Sequence, residues 1–311
     1  MALAPIALFV YKRLAHTRQT VDALRANDLA AESDLFVFSD AAKTEADSRV
    51  VAEVREYVNS LSGFKSVHVS EKENNCGLAN SIIAGVTQLC ESFGRVIVVE
   101  DDIVTSPYFL SYMNRALDFY ADYPRVFSIS AYNISPKFMP MPSRYKHDVA
   151  FSKRSSPWGW ATWLDRWRKA NWDYQGYREF LADEDAVALF NLAGSDMSGM
   201  LNAFVNGRNN SWWIRWCYTC HMHGAVSLFP RISFVDNIGD DGTGTHVGGS
   251  LSWSRNDLAI DPGEPEFILP VYEDPEVAAV IRRFWSTRYR SSLPRRLVRL
   301  AKRVILSGRI R

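Results

Sequence analysis

Three carboxylates, Glu100, Asp101 and Asp102, follow one another directly in "GRVIVVEDDIVTSPYFL", just after the apolar run at 96–99. Adjacent like charges repel, and a cluster at the edge of a low-dielectric core is costly unless a cation offsets it. Hard divalent ions such as Mg²⁺ or Mn²⁺ take oxygen ligands, and bind through one or two carboxylates together with substrate phosphates. The triplet therefore points to a dication holding a nucleoside diphosphate. The competing reading is that Asp101 and Asp102 cap the next turn in solvent.

Other residue groups carry possible chemistry. Cys217, Cys220, His221 and His223 in "WCYTCHMHG" have the C-x-x-C-H spacing of covalent haem attachment and resemble half of a zinc site. A second Cys/His knuckle is missing and an aromatic run precedes the motif, so a structural apolar strand is expected there. Trp158, Trp160, Trp163, Trp167 and Trp172 crowd into one short stretch, and Trp212, Trp213 and Trp216 follow. Aromatic faces suit the C–H faces of sugars, whereas Trp163 and Trp167, at helical spacing, are expected in the core. Trp158 and Trp160 are the ligand candidates, and Gly159 between them permits close backbone approach.

Positioning these groups requires a frame. Short apolar runs at 6–10, 35–38, 66–69, 96–99 and 126–130 alternate with helix-period segments. That alternation predicts a mostly parallel sheet with helices on its faces. Val51, Val54, Val58 and Leu61 form one sheet-facing stripe, and Leu78, Ile82, Val86, Leu89 and Phe93 another. Ser106 and Pro107 are expected to cap and open a further helix carrying Leu110, Met113, Leu117 and Tyr120. In such sheets ligands bind outside the carboxyl ends of the strands, which is where the triplet falls.

Of 311 residues, 47% are hydrophobic and 13% aromatic, enough to bury a sizeable core. The overall balance of 36 basic and 35 acidic residues conceals an asymmetry. Residues 282–311 hold ten Arg, one Lys and no acid, leaving 25 basic against 35 acidic residues before them. No apolar run approaches the roughly eighteen residues of a membrane-spanning helix. "ALAPIALFVY" reads as a first strand rather than a secretory leader, and with four scattered cysteines this predicts a cytoplasmic protein.

Taken together, these segments resemble GT-A glycosyltransferases, particularly the N-acetylglucosaminyltransferase I type and related bacterial sugar transferases. "VIVVEDDIVTSPYFL" is similar to the family's glutamate-aspartate-aspartate motif, "PIALFVYKR" to its first strand, "LFVFSD" to its second, and "NNCGLANSI" to the loop and helix before the metal strand. "SISAYN", "SSPWGWATW" and the Gly-rich "NIGDDGTGTH" resemble later segments, so the likeness spans about residues 5–248.

The resemblance implies a Rossmann-like α/β catalytic domain over 1–250, with a nucleotide half to about 134 and an acceptor half after it, and a C-terminal extension over 251–311. It implies that Arg13 and Asp40 contact the nucleotide, Glu100 and Asp101 the donor sugar and ribose, and Asp102 and His246 the Mn²⁺ or Mg²⁺ ion. Trp158, Gly159 and Trp160 would line the acceptor.

One departure stands out. The relatives' catalytic base precedes a Trp in the segment matching "NNSWWIRW", where this chain has Asn210 and Ser211. Neither accepts a proton near neutral pH. Asp196, expected to cap the helix "DMSGMLNAF", is the first substitute, followed by Asp241 and Glu184. Otherwise configuration is retained with the leaving phosphate assisting, or activity is lost.

"LPRRLVRLAKRVILSGRIR" puts Leu297, Leu300, Ala301 and Val304 on one stripe among basic residues, the pattern of a helix lying on an anionic membrane surface. It would bring the enzyme to a lipid-linked saccharide on the cytoplasmic face, in cell-envelope polysaccharide synthesis. Nucleic acid is not an expected partner, because no base-reading element accompanies the charge. The rivals are a sugar-phosphate nucleotidyltransferase and an inactive saccharide-binding scaffold.

Overall fold

The computed structural model describes residues 2–241, 253–258 and 263–287. The first half alternates strand and helix: β1 (Ile6–Val10), α1 (Leu14–Arg25), β2 (Asp34–Ser39), α2 (Ser48–Asn59), β3 (Ser66–Glu71), α3 (Leu78–Phe93), β4 (Arg95–Glu100), β5 (Ile103–Thr105), α4 (Phe109–Phe119) and β6 (Val126–Ser130). The second half is less regular: β7 (Val149–Ser152), β8 (Trp160–Trp163), α5 (Leu164–Trp167), α6 (Tyr177–Ala182), α7 (Glu184–Phe190), α8 (Met197–Val205), α9 (Trp212–Met222), β9 (Val226–Pro230) and β10 (Val235–Asn237). Residues 275–287 are helical and are called the late helix below.

Eight strands form one sheet in the order β3-β2-β1-β4-β8-β6-β9-β7. The expected mostly parallel α/β sheet with helices on both faces is what the chain forms: β1 to β4 are mutually parallel where they pair, and β8 and β7 are the reversed strands. The connections lead outward from β1 to β3 on one side and to β4 on the other, so the strand order switches between β1 and β4. A crevice opens at such a point beyond the strand ends. Central parallel strands are covered on both faces, which is why "IALFV" is buried at all five positions. Alternate residues divide between the faces, with Ile6, Leu8 and Val10 joining one apolar layer and Ala7 and Phe9 the other.

Two elements differ from expectation. The motif with Cys217 and Cys220 lies on α9, not on a strand. Nine of its residues, Trp212 to Cys220, are buried, so no polar alternation betrays its helical period. Both cysteines are free and buried, and burial pushes their thiols upward, the Cys217 thiol to about 11. Helix α4 begins at Phe109 with Tyr108 at its cap position. Ser106 lies one turn earlier and accepts the Phe109 N–H through its carbonyl at 3.2 Å.

The boundary expected near residue 250 does not separate residues 263–287 from the body. Tyr120 Oη donates to the Ile268 carbonyl and accepts from its N–H, each at 3.1 Å, and Val277, Ile281 and Phe284 of the late helix are buried in the layer that holds α4. No helix among the described residues is long and apolar enough to cross a membrane.

Candidate active site

The switch point brings β1 and β4 side by side, with Phe9 opposite Glu100. The chain leaving β1 therefore carries Arg13 to the carboxylates leaving β4. One guanidinium nitrogen, Arg13 Nη2, donates to Asp101 Oδ1 at 2.5 Å and to Asp102 Oδ2 at 2.7 Å. Thr20 Oγ1 of α1 anchors the Asp101 carbonyl at 2.9 Å.

The electrostatics are short of positive charge. Burial pushes the Asp101 carboxyl up to about 6, against the pull of Arg13 and with the repulsion of Asp102. Glu100 is held well above the usual carboxylate range by burial, then by Asp102 and Asp101, with Arg13 opposing. Burial draws the Arg13 guanidinium down, but the two aspartates outweigh it and raise it. Arg13 Nη1 is buried without a hydrogen-bond partner among the described residues.

Two carboxylate oxygens converging on a single cationic atom form a donor set that suits a hard divalent ion once Arg13 moves aside. Among the described residues, no group of three or more His, Cys, Asp or Glu side chains is already arranged to hold a metal. His246 lies outside the described residues. The chain leading toward it does pass the centre: β10 pairs antiparallel with β5, and Ile238 N–H donates to the Asp102 carbonyl at 2.9 Å. A Cβ at Gly239 would lie 2.1 Å from Asp102 Oδ2, so only glycine permits this approach. Asp241 pairs with His16 at 3.2 Å.

Asp40, at the end of β2, is engaged within the protein. Its Oδ1 accepts from the Ala41 and Cys76 amides, both at 2.9 Å, and its Oδ2 accepts from Asn75 Nδ2 at 3.1 Å and the Gly77 amide at 2.8 Å. Four donors saturate the carboxylate. What Asp40 does here is hold the 75–77 loop that leads into α3, and the nucleotide contact expected of it would have to compete with those bonds.

Glu100 also borders a cleft of about 490 Å³, lined by aromatic side chains including Trp158, Trp213, Trp253 and Trp285. Of the acceptor candidates, Trp158 lines this cleft, packing edge-on against Tyr132 and tilted against Trp253. Trp160 does not. It is fully buried in β8, stacked on Trp212 and packed against Trp167, and belongs to the core. Gly159 faces inward as well: it has φ +61°, and a Cβ there would meet Val235 at 3.0 Å and Phe109 at 3.3 Å, so it serves the turn and its packing rather than a ligand edge.

Asn210 and Ser211 line the cleft where the resemblance places a base, and Ser211 Oγ caps α9 by accepting the Ile214 N–H at 3.3 Å. Asp196 lines it too, but its side chain does not cap α8. Arg154 grips it instead, with Nη1 to Oδ1 and Nη2 to Oδ2, both at 2.9 Å. Glu184 is exposed on α7, away from the cleft lining. Sequence reasoning missed Arg154, Trp253 and Trp285. Arg154 stands just ahead of "SSPWGWATW", and Ile281, Phe284 and Trp285 have the spacing of a packed helix face, so both signals were present.

No protein-family model and no curated protein matches this chain. Solved structures that resemble it include TarS of S. aureus, at 17% identity over 40% of this chain and 21% of that one, with a TM-score of 0.29. The mannosyltransferase PcManGT from Pyrobaculum calidifontis, in complex with GDP-Man and Mn²⁺, is 12% identical over 71% of this chain and 69% of its own, with a TM-score of 0.39. Mouse xyloside xylosyltransferase 1 in its apo form is 13% identical over 71% and 82%, with a TM-score of 0.36. The match to TarS thus spans about a fifth of that protein's length.

Proposed function

We propose that the protein is a glycosyltransferase that moves a sugar from a nucleoside-diphosphate donor to a saccharide hydroxyl. One observation carries the reading: Glu100 borders the aromatic cleft while its chain neighbours, Asp101 and Asp102, share a single cationic nitrogen at the strand-order switch. An electronegative centre that demands a cation thus adjoins a cleft with sugar-binding chemistry.

In this reading Asp102, with His246, would hold Mn²⁺ or Mg²⁺, which when bound offsets negative charge gathering on the departing nucleoside diphosphate. Arg13 gives up its hydrogen bonds to the aspartates and turns toward the phosphates, with its unpartnered Nη1 as the available donor. Glu100 and Asp101 orient the donor's hydroxyls. Trp158 presents a ring face to the acceptor, and Asp196 takes the acceptor proton. The two Asp196 oxygens give lone pairs to Arg154 and retain others, so the carboxylate is both oriented and able to accept. The aromatic and aliphatic side chains of the cleft limit water around the reacting hydroxyl. The basic tail favours a peripheral location on an anionic membrane and a role in envelope polysaccharide synthesis.

A second reading, an inactive saccharide-binding scaffold, is favoured by Asn210 and Ser211 in the cleft and by the capture of Asp196 by Arg154. Turnover of a panel of nucleotide sugars, with and without Mn²⁺ or Mg²⁺, decides. Release of nucleoside diphosphate supports transfer, and pyrophosphate release would instead indicate a nucleotidyltransferase. Binding without turnover would indicate the scaffold. If no nucleoside diphosphate binds in a metal-dependent way and Asp102→Ala changes nothing, the reading fails.

A further inference from the structure

The late helix, read from sequence as part of an extension, supplies Ile281 and Trp285 to the cleft. Trp285 is locked in place by charge as well as packing. The Arg154 guanidinium lies 3.8 Å from its ring centroid and 4.9 Å from that of Trp213, with both Asp196 oxygens hydrogen-bonded in the guanidinium plane. Trp253 stands edge-on to Trp285 at 5.3 Å and tilted to Trp158 at 6.0 Å. An unbroken aromatic wall thus runs from the Trp-Gly-Trp segment to the late helix, joined by Ile134, Met139 and Phe229.

Two features of this wall define what fits it. First, charge: among the described residues, the acidic side chains lining the cleft are Glu100 and Asp196, and the cation, Arg154, is already committed to Asp196. Among these described residues an anionic group finds no uncommitted counter-ion, so this lining suits a neutral sugar. Second, polarity: Ile134, Met139, Phe229 and Ile281 offer no hydrogen-bond partner to hydroxyls, and such a surface is matched by hydrocarbon. The far face of the same helix points the same way. Arg282 and Arg283 are exposed beside the buried Ile281 and Phe284, and from Arg282 onward the chain holds ten Arg, one Lys and no acid. Charge of this kind complements an anionic lipid surface, placing the apolar wall next to one.

Building on the transfer reading, we propose that the late helix is the acceptor-specifying wall of the site, and that the acceptor is a neutral saccharide carried on an apolar, lipid-type chain, with that chain lying over Ile281, Trp253 and Trp285. Membrane contact and acceptor capture are then functions of one helix.

The test is calorimetric titration of the full chain with octyl β-glucoside below its micellar concentration, with free glucose, and with an octyl oligoethylene glycol ether lacking a sugar. The alkyl glucoside binds at least about tenfold more tightly than either of the others. Trp285→Ala weakens it about tenfold, as does Met200→Glu, which adds a charge to the cleft lining without emptying the core. Both variants keep a single cooperative thermal transition, lowered by the packing they lose, and wild-type nucleoside-diphosphate affinity. Equal binding of glucose and octyl glucoside, equal binding of the sugar-free ether, or folded variants with undiminished affinity would each overturn the proposal. Failure of the transfer reading is seen separately: alkyl-glucoside binding that depends on Trp285, in a protein that turns over no nucleotide sugar, refutes transfer and leaves the wall intact.

Discussion

Arg13 Nη2 lies 2.7 Å from Asp102 Oδ2, although 89 residues separate them in the chain. The same nitrogen reaches Asp101 Oδ1, so one positive charge serves two aspartates with Glu100 beside them. This imbalance, more than any single residue, sets the behaviour of the centre, and it has a pH signature.

Asp101 titrates at about 6 in the folded protein against 3.8 for an ordinary aspartate. Between those values the folded state binds more proton than the unfolded state, so the contribution of Asp101 to stability is fully present below 3.8 and is lost as pH rises through about 6. Urea denaturation in metal-free buffer, compared between wild type and Asp101→Asn across this range, should show the wild type losing stability relative to the variant as pH increases. A flat difference would contradict the assignment.

Gly239→Ala places a methyl group on the Asp102 carboxylate, which sits at the end of a side chain able to rotate away. Stability should therefore change by no more than about 1 kcal/mol, while Mn²⁺-dependent affinity for a nucleoside diphosphate falls at least about tenfold. Thermal denaturation and calorimetry on the same preparation separate the two effects.

Asp40→Ala strips the acceptor from the buried amide of Ala41 and from the part-buried donors of Asn75, Cys76 and Gly77. Donors left unsatisfied cost about 1 to 3 kcal/mol each, so a loss of about 3 kcal/mol in urea denaturation is expected, and a smaller one for Asp40→Asn, which retains a carbonyl oxygen. A variant of unchanged stability with weakened nucleotide binding would restore Asp40 to the ligand.

Trp160→Ala and Trp158→Ala should part company. The first empties a fully buried site and should cost about 3 to 5 kcal/mol. The second removes a half-buried cleft residue, costs less, and weakens acceptor binding. Equilibrium unfolding and saccharide titration of both variants provide the check.

The parallel half of the fold was legible because its signals are local: continuous apolar runs at β1 and β4, and one-sided stripes on α2 and α3. The carboxylate triplet was legible for the same reason, since three like charges after a buried strand conflict with burial unless a cation answers them. Helix α9 was not legible, because burial all round erased its period. Its stop and start signals, the Ser211 cap and Gly224 at φ +57°, are the evidence that would have identified it. Nor did sequence indicate that Trp160 points into the core while Trp158 lines the cleft. That depends on β8 running antiparallel between β4 and β6, a pairing set by distant partners. Asp40 was read as a nucleotide contact and Asp196 as a helix cap or base, but the partners each has in the fold, the 75–77 loop and Arg154, lie far away in the chain.

The β5–β10 clasp has a consequence for biosynthesis. Asp102 emerges from the ribosome early, yet the amide that binds its carbonyl and the glycine that lies against its carboxylate come only after all the intervening strands and helices have been made. A nascent chain halted before β10 carries Asp102 without the Ile238 amide and the Gly239 backbone that lie against it. The clasp thus leaves the surroundings of Asp102 incomplete until translation has passed β10.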